Sequence, residues 1–117
     1  MSQADREMLR DGYEALSRGD WDTAFRPTSP EFELKAASRV TSPGTYRGRE
    51  EARRFFADLL EPFEEVTVEP MDFFERGDQI VVFVRVRVRP AGSSATVEDL
   101  VGHLWTIRGG KPAVSEA

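Results

Sequence analysis

Three side chains in this sequence have the chemistry for proton transfer inside an apolar pocket: Tyr13, Asp99 and His103, the last being the only histidine. Asp99 and His103 lie in a stretch that reads as a strand. Four residues along a strand put two side chains on one face but ~13 Å apart. They cannot touch directly, but they can act on two ends of one ligand. Desolvation on an apolar wall disfavours an ionised carboxylate, and an imidazole near it can titrate near neutrality. Small-pocket enzymes obtain a general acid or base in this way. Tyr13 stands on the apolar stripe of a helix, from which its hydroxyl could donate to a ligand carbonyl. Each residue also has a purely structural reading. His103 could be a core histidine satisfied by a tyrosine hydroxyl, a water or the backbone. Asp99 could be a strand-end carboxylate at the sheet rim, and Tyr13 a core residue with its hydroxyl at the edge.

The hairpin that carries the first two residues fixes their direction. Residues 79–89 alternate, with Ile80, Val82, Val84, Val86 and Val88 on one face and Arg85, Arg87 and Arg89 on the other. A loop over 90–95 pairs Arg89 with Thr96, Arg87 with Glu98 and Val86 with Asp99. That register sets Val97, Val101, Trp105 and Ile107 beside the valines; a slip of one residue would move Trp105 and Ile107 to the arginine side and forfeit apolar burial. The valine face is therefore the concave one, and Asp99 and His103 point inward with it. The arginines could form an anion site or a partner surface; the simpler reading is a solvated outer face with Arg87 paired to Glu98.

The elements that must hold this hairpin follow from hydrophobic period. Residues 46–63, YRGREEARRFFADLLEPF, read as one amphipathic helix with Ala52, Phe55, Phe56, Leu59, Leu60 and Phe63 on its stripe. Residues 2–17 read as a first helix, with Ser2 as its cap and Met8, Leu9, Tyr13 and Leu16 facing inward. Gly19 ends it, and Asp20 caps a short second helix that Pro27 stops. Alternation over 31–37 predicts a strand, 38–45 a loop, 65–75 a strand interrupted or bent at Pro70, and 96–108 the return strand. Residues 112–117 read as a short tail. Helices first and hairpins last give α+β: a curved antiparallel sheet with helices packed on its concave face. Trp21, Phe32, Phe56, Leu60 and Trp105 are the candidate ligand-binding residues of the cavity such an arrangement leaves. Ser38 and Arg39, before the long helix, are candidates to guard its mouth.

Composition narrows the function classes. The chain has 117 residues, 39% of them hydrophobic and 32% charged, and a net charge of −5. That predicts one domain, 1–117, large enough for a core. An acidic balance argues against nucleic acid as a partner. With no cysteine and one histidine, disulfides, thiolate chemistry and a protein zinc site are not expected. No phosphate-cradling or dinucleotide motif is present, so no cofactor is expected. The start of the chain is charged from Asp5 onward, without an apolar signal core, and no run approaches the ~20 apolar residues of a membrane span. A cytoplasmic location without membrane partners is the expectation.

Three local patterns, in this order, resemble the SnoaL-like branch of the NTF2-like superfamily. Tyr13-Glu14-Ala15-Leu16 with Gly19-Asp20-Trp21 resembles its first-helix signature, Tyr46-Arg47-Gly48-Arg49-Glu50 its loop into the long helix, and His103-Leu104-Trp105-Thr106-Ile107-Arg108 before Gly-Gly-Lys its penultimate strand. The resemblance implies a cone-shaped α+β barrel, an apolar pocket between sheet and helices, and a homodimer formed through the sheet. It implies no single activity: polyketide cyclases, ketosteroid-type isomerases, epoxide hydrolases, dehydratases and pure binding domains share it. It places His103 roughly where the isomerases hold an oxyanion-stabilising acid. Members usually carry a full last strand after Gly-Lys; here Pro112 follows Lys111, so the last strand is expected to be short or truncated. The expectation is a pocket for a small apolar molecule with a polar group, either an acid–base enzyme of isomerase, cyclase or hydratase type or a non-catalytic binding or dimerisation module.

Overall fold

The structure, a computed structural model, describes residues 3–37 and 43–117. Ser2, Ser38 and Arg39, with the roles expected of them, lie outside the described residues. Helix α1 (Gln3–Ser17) buries Leu9, Tyr13, Ala15 and Leu16. It closes in a Schellman turn. Gly19 takes a φ of 71°, which favours glycine. The Gly19 and Asp20 N–H groups then donate to the Leu16 and Ala15 carbonyls at 3.0 and 2.9 Å. Asp20 at once caps α2 (Trp21–Phe25), its carboxylate accepting from the Thr23 N–H at 3.2 Å.

Strand β1 (Glu33–Ala36) and β2 (Gly44–Arg47) form a hairpin, and α3 (Gly48–Leu60) follows without a break. Two corrections arise here. Residues 44 and 45 are strand rather than loop, and the long helix begins at Gly48, not Tyr46. Gly48, at φ 83°, makes the corner, and its N–H is taken by the Phe32 carbonyl at 2.7 Å. The helix ends at Leu60 because Pro62 cannot continue it, and Phe63 already opens the next strand.

Strands β3 (Phe63–Arg76), β4 (Gln79–Pro90), β5 (Val97–Arg108) and β6 (Lys111–Glu116) form a meander, and the six strands lie in the order β2-β1-β6-β5-β4-β3. Every pairing is antiparallel except β1–β6, which is parallel, so the sheet is mixed. Pro70 does not interrupt β3. A register shift between Pro70 and Asp72 absorbs it on the edge strand, where a missing N–H costs least. Ser17 covers part of that edge: its Oγ accepts from the Val68 N–H at 2.8 Å and donates to the Val68 carbonyl at 3.3 Å. The stretch expected as a tail is a strand hydrogen-bonded on both sides, to β1 and β5. Pro112 fits there beside a second register shift, between Thr106 and Ile107.

The β4–β5 register agrees with the sequence reading, with Arg87 opposite Glu98 and Val86 opposite Asp99. Ile80, Val82 and Val84 are fully buried against Leu9, Tyr13, Phe25 and Phe55 from the helices. The arginines lie on the outer face, where Arg87 donates to Glu98 at 3.0 Å, Arg85 pairs with Glu69 at 3.5 Å and Arg89 with Glu65 at 3.1 Å.

Candidate functional site

Between the sheet's inner face and helices α1 and α3 lies a cavity of about 350 Å³. Its walls are mostly apolar: Phe25, Leu34, Phe55, Leu59, Val68 and Val101 are typical. Tyr13, Asp99, His103, Phe56, Leu60 and Trp105 all line it, whereas Trp21 and Phe32 do not. Phe32 is fully buried one layer back, its ring 6.3 Å from that of Trp105 and 6.0 Å from that of Phe25. Trp21 borders an outside hollow with Arg49 and Arg53. A larger hollow, about 430 Å³, lies against Tyr46, Glu51, Arg54 and Asp58. Its charged rim makes it a solvated groove, and none of the three proton-bearing residues reaches it.

Three of the cavity's polar groups form one chain of hydrogen bonds. The Trp105 Nε1–H donates to the Tyr13 hydroxyl oxygen at 2.8 Å, and that hydroxyl stands 2.8 Å from His103 Nδ1. The direction of the second bond depends on the histidine tautomer, and an accepting Nδ1 is the arrangement that gives the hydroxyl proton a partner. An indole N–H only donates, so the tyrosine oxygen is its acceptor. The hydroxyl has a single proton, and His103 Nδ1 is the acceptor placed to receive it. Tyr13 is 1% exposed. Burial pushes its ionisation well above the ordinary tyrosine range, and the bond from Trp105 only partly offsets this. The proton therefore stays on Tyr13. With Nδ1 an acceptor, neutral His103 carries its own proton on Nε2. The rings reinforce the arrangement, Tyr13 stacking on His103 at 5.8 Å and meeting Trp105 edge-on at 6.2 Å.

Backbone pairing positions all three. His103 lies opposite Val82 and Trp105 opposite Ile80, both fully buried in the first half of β4. Tyr13 reaches them from the buried stripe of α1. Asp99 is on the same face, opposite Val86, but it is exposed near the start of β5 and accepts from the neighbouring Leu100 N–H at 2.9 Å. The expected placement of this carboxylate on a covered apolar wall is therefore corrected: it stands at the exposed end of that face. The strand alternation identified the face correctly; how far the helices cover that face was not legible in it.

Two features escaped the sequence reading. Trp105 reads from its position as a wall residue, yet its N–H also occupies the Tyr13 hydroxyl oxygen. Ser115, buried on β6, also lines the cavity. Reading 111–116 as a strand would have revealed it, since Ala113 and Ser115 then alternate onto the inner face. No group of three or more His, Cys, Asp or Glu side chains among the described residues could hold a metal ion. No helix among them is long and apolar enough to cross a membrane.

Comparison with known proteins agrees with this geometry. The family profile described as SnoaL-like domain matches residues 9–114. Among solved structures, TerC co-crystallised with polyporic acid is similar at 23% identity and a TM-score of 0.85, over 97% of this chain and 89% of that one. An NTF2-like protein of unknown function from Burkholderia pseudomallei is similar at 24% identity and a TM-score of 0.85, over 99% and 89%. A Catenulispora acidiphila protein with a ketosteroid isomerase-like fold, in complex with trimethylamine, gives 14% identity and a TM-score of 0.82, over 94% and 82%. At these identities the likeness is one of fold. No curated protein matches the chain.

Proposed function

We propose, on the premise that this chain belongs to the SnoaL-like family of the NTF2-like superfamily, that it binds a small, largely apolar molecule through one of that molecule's oxygen atoms. His103 is the group that receives that oxygen. The carrying observation is the Trp105–Tyr13–His103 chain, which commits Nδ1 to accepting and leaves Nε2 as the protonated nitrogen. In this state His103 acts as a hydrogen-bond donor rather than a base. Tyr13 works through the imidazole, its one proton being committed to Nδ1.

A donor aimed at a ligand carbonyl stabilises the charge that develops on oxygen when a proton leaves the adjacent carbon. That is cofactor-independent chemistry of the isomerase, cyclase or hydratase type. Asp99 is the candidate second proton carrier: at ~13 Å along the strand it cannot reach the carbon beside a carbonyl held at His103, so it would serve a ligand whose conjugated frame links that carbonyl to a C–H at the far end. The alternative, non-catalytic binding, draws its support from the position of Asp99, exposed and away from the Tyr13–His103 pair. The similar structure of TerC was obtained with polyporic acid, an instance of this fold holding a small organic acid.

One experiment separates the two readings. 2-Tetralone is added in heavy water, and binding is followed at His103 Nε2 while exchange of the ketone's α-protons is followed by NMR. The enzyme reading expects exchange at least ~10-fold faster than in buffer, as stabilisation of the developing oxyanion supplies. It also expects that acceleration to be lost in His103→Phe. Binding without any acceleration leaves the non-catalytic reading standing. No binding at all sinks both.

The outer sheet face is part of the same proposal. Phe74, Phe83 and Leu100 are exposed there at 58%, 40% and 62%, the first two rings 5.8 Å apart. Such a surface suits a homodimer formed through the sheet, in a cytoplasmic setting. Sedimentation velocity is expected to show a dimer that Leu100→Glu converts to monomer; a monomeric native protein contradicts it.

A further inference from the structure

We infer that Ser115 is a second ligand-anchoring residue and that the ligand carries two oxygen functions at opposite ends of a compact apolar frame of one or two rings. This rests on the pocket reading above and adds the far end of the ligand to it. Ser115 stands opposite Trp105 on β5 and Leu34 on β1, both of which line the cavity. It shares their inner face and is 4% exposed. No hydrogen bond joins its hydroxyl to another described residue, and yet no buried side-chain oxygen or nitrogen among them is sealed off without a partner. Its Oγ therefore keeps its remaining accessible surface, and the residue borders the cavity.

An unpaired hydroxyl in apolar surroundings is unfavourable until something hydrogen-bonds to it. The cross-strand neighbours of Ser115 are Leu34 and Trp105, whose one side-chain N–H is already given to Tyr13, so the partner has to come from what occupies the cavity.

The register sets the spacing. From Ser115 to His103 is one strand across and two residues along, roughly 8 Å between Cα atoms. A carbonyl at His103 and a hydroxyl at Ser115 therefore belong on opposite ends of a ring-sized frame. A lone oxygen placed at His103 would leave the Ser115 hydroxyl without its partner.

The test uses two ketones that differ by a single far hydroxyl, 2-tetralone and 6-hydroxy-2-tetralone, titrated by calorimetry. The native protein is expected to bind the hydroxylated ketone about three- to tenfold more tightly, the yield of one added hydrogen bond. Ser115→Ala is expected to abolish that preference, the two ketones then binding with equal affinity. Its thermal stability should equal or exceed that of the native chain, since no internal hydrogen bond is lost. Ser115→Cys, nearly isosteric but a poor donor, should behave in the same way. A preference that survives in both variants, or that disappears in Asp99→Asn instead, overturns the assignment of Ser115 while leaving the pocket reading intact. If neither ketone binds the native protein, the pocket reading fails and this inference fails with it.

Discussion

Tyr13→Phe is expected to destabilise the protein by roughly 2–4 kcal/mol, far more than the loss of one exposed hydroxyl would. The ring still fills its place, so the effect is polar. Removing the oxygen takes the acceptor from the Trp105 Nε1–H and the donor from His103 Nδ1, both on half-buried side chains of the cavity wall. A buried group left without its partner costs about 1–3 kcal/mol. The second readout is spectroscopic. With one histidine in the chain, a single pair of imidazole nitrogen resonances reports the tautomer. The native protein should show an acceptor-type Nδ1 and a protonated Nε2, and the Phe variant should lose that bias. A native Nδ1 that carries the proton would reverse the hydrogen bond and remove the basis for His103 as an Nε2 donor.

The same hydroxyl sets an alkaline limit on stability. Burial raises the Tyr13 pKa in the folded state above its ordinary value of 10.0. Below that pH the tyrosine is protonated in both states and its contribution is complete. Above it, the unfolded chain releases the proton while the folded chain retains it, so stability falls as pH rises. The slope from this residue is about 1.4 kcal/mol per pH unit. Urea unfolding across pH 9–11 should show the decline in the native protein and not in Tyr13→Phe.

Much of this architecture was legible because period and punctuation agreed. The alternation of Ile80, Val82 and Val84 against the arginines set the β4–β5 register, and with it the direction of His103 and Asp99. Gly19 and Asp20 marked the α1–α2 junction because few residues other than glycine take a positive φ there. The misreadings share a cause. Pro70 suggested an interruption or a bend and Pro112 a strand cut short, yet each sits beside a register shift in a continuous strand, and at Pro70 that shift is the bend. A proline reports a missing donor, not whether the neighbouring strand has made room for it. Tyr46 and Phe63 fit the helical spacing of α3, but Gly48 and Pro62 bound it more tightly. The Trp105–Tyr13–His103 chain joins residues 90 and 92 positions apart. Local pattern places each on an inner face and says nothing of which atoms meet.

The sharpest separation of scaffold from pocket concerns two phenylalanines that the sequence treats alike. Phe32 and Phe56 both read as pocket wall, but Phe32 is fully buried behind Trp105 and Phe56 is half-buried on the cavity itself. Phe32→Ala is expected to cost about 3–5 kcal/mol, because the ring's neighbours, Trp105 and Phe25, are held from their other sides and cannot collapse into the space. Phe56→Ala should cost roughly 1–2 kcal/mol, since part of its ring faces open cavity and forfeits no packing there. Binding should behave in the opposite sense. Phe56→Ala widens the cavity directly and should shift preference toward bulkier aryl ketones over 2-tetralone while the His103 resonances stay in place. Phe32→Ala removes the support behind Trp105, so the His103 resonances should move even where the variant remains folded. Urea midpoints and imidazole spectra of the two variants decide the matter. Equal stability losses, or an undisturbed His103 in Phe32→Ala, would mean that Trp105 is held by something other than the ring stacked behind it.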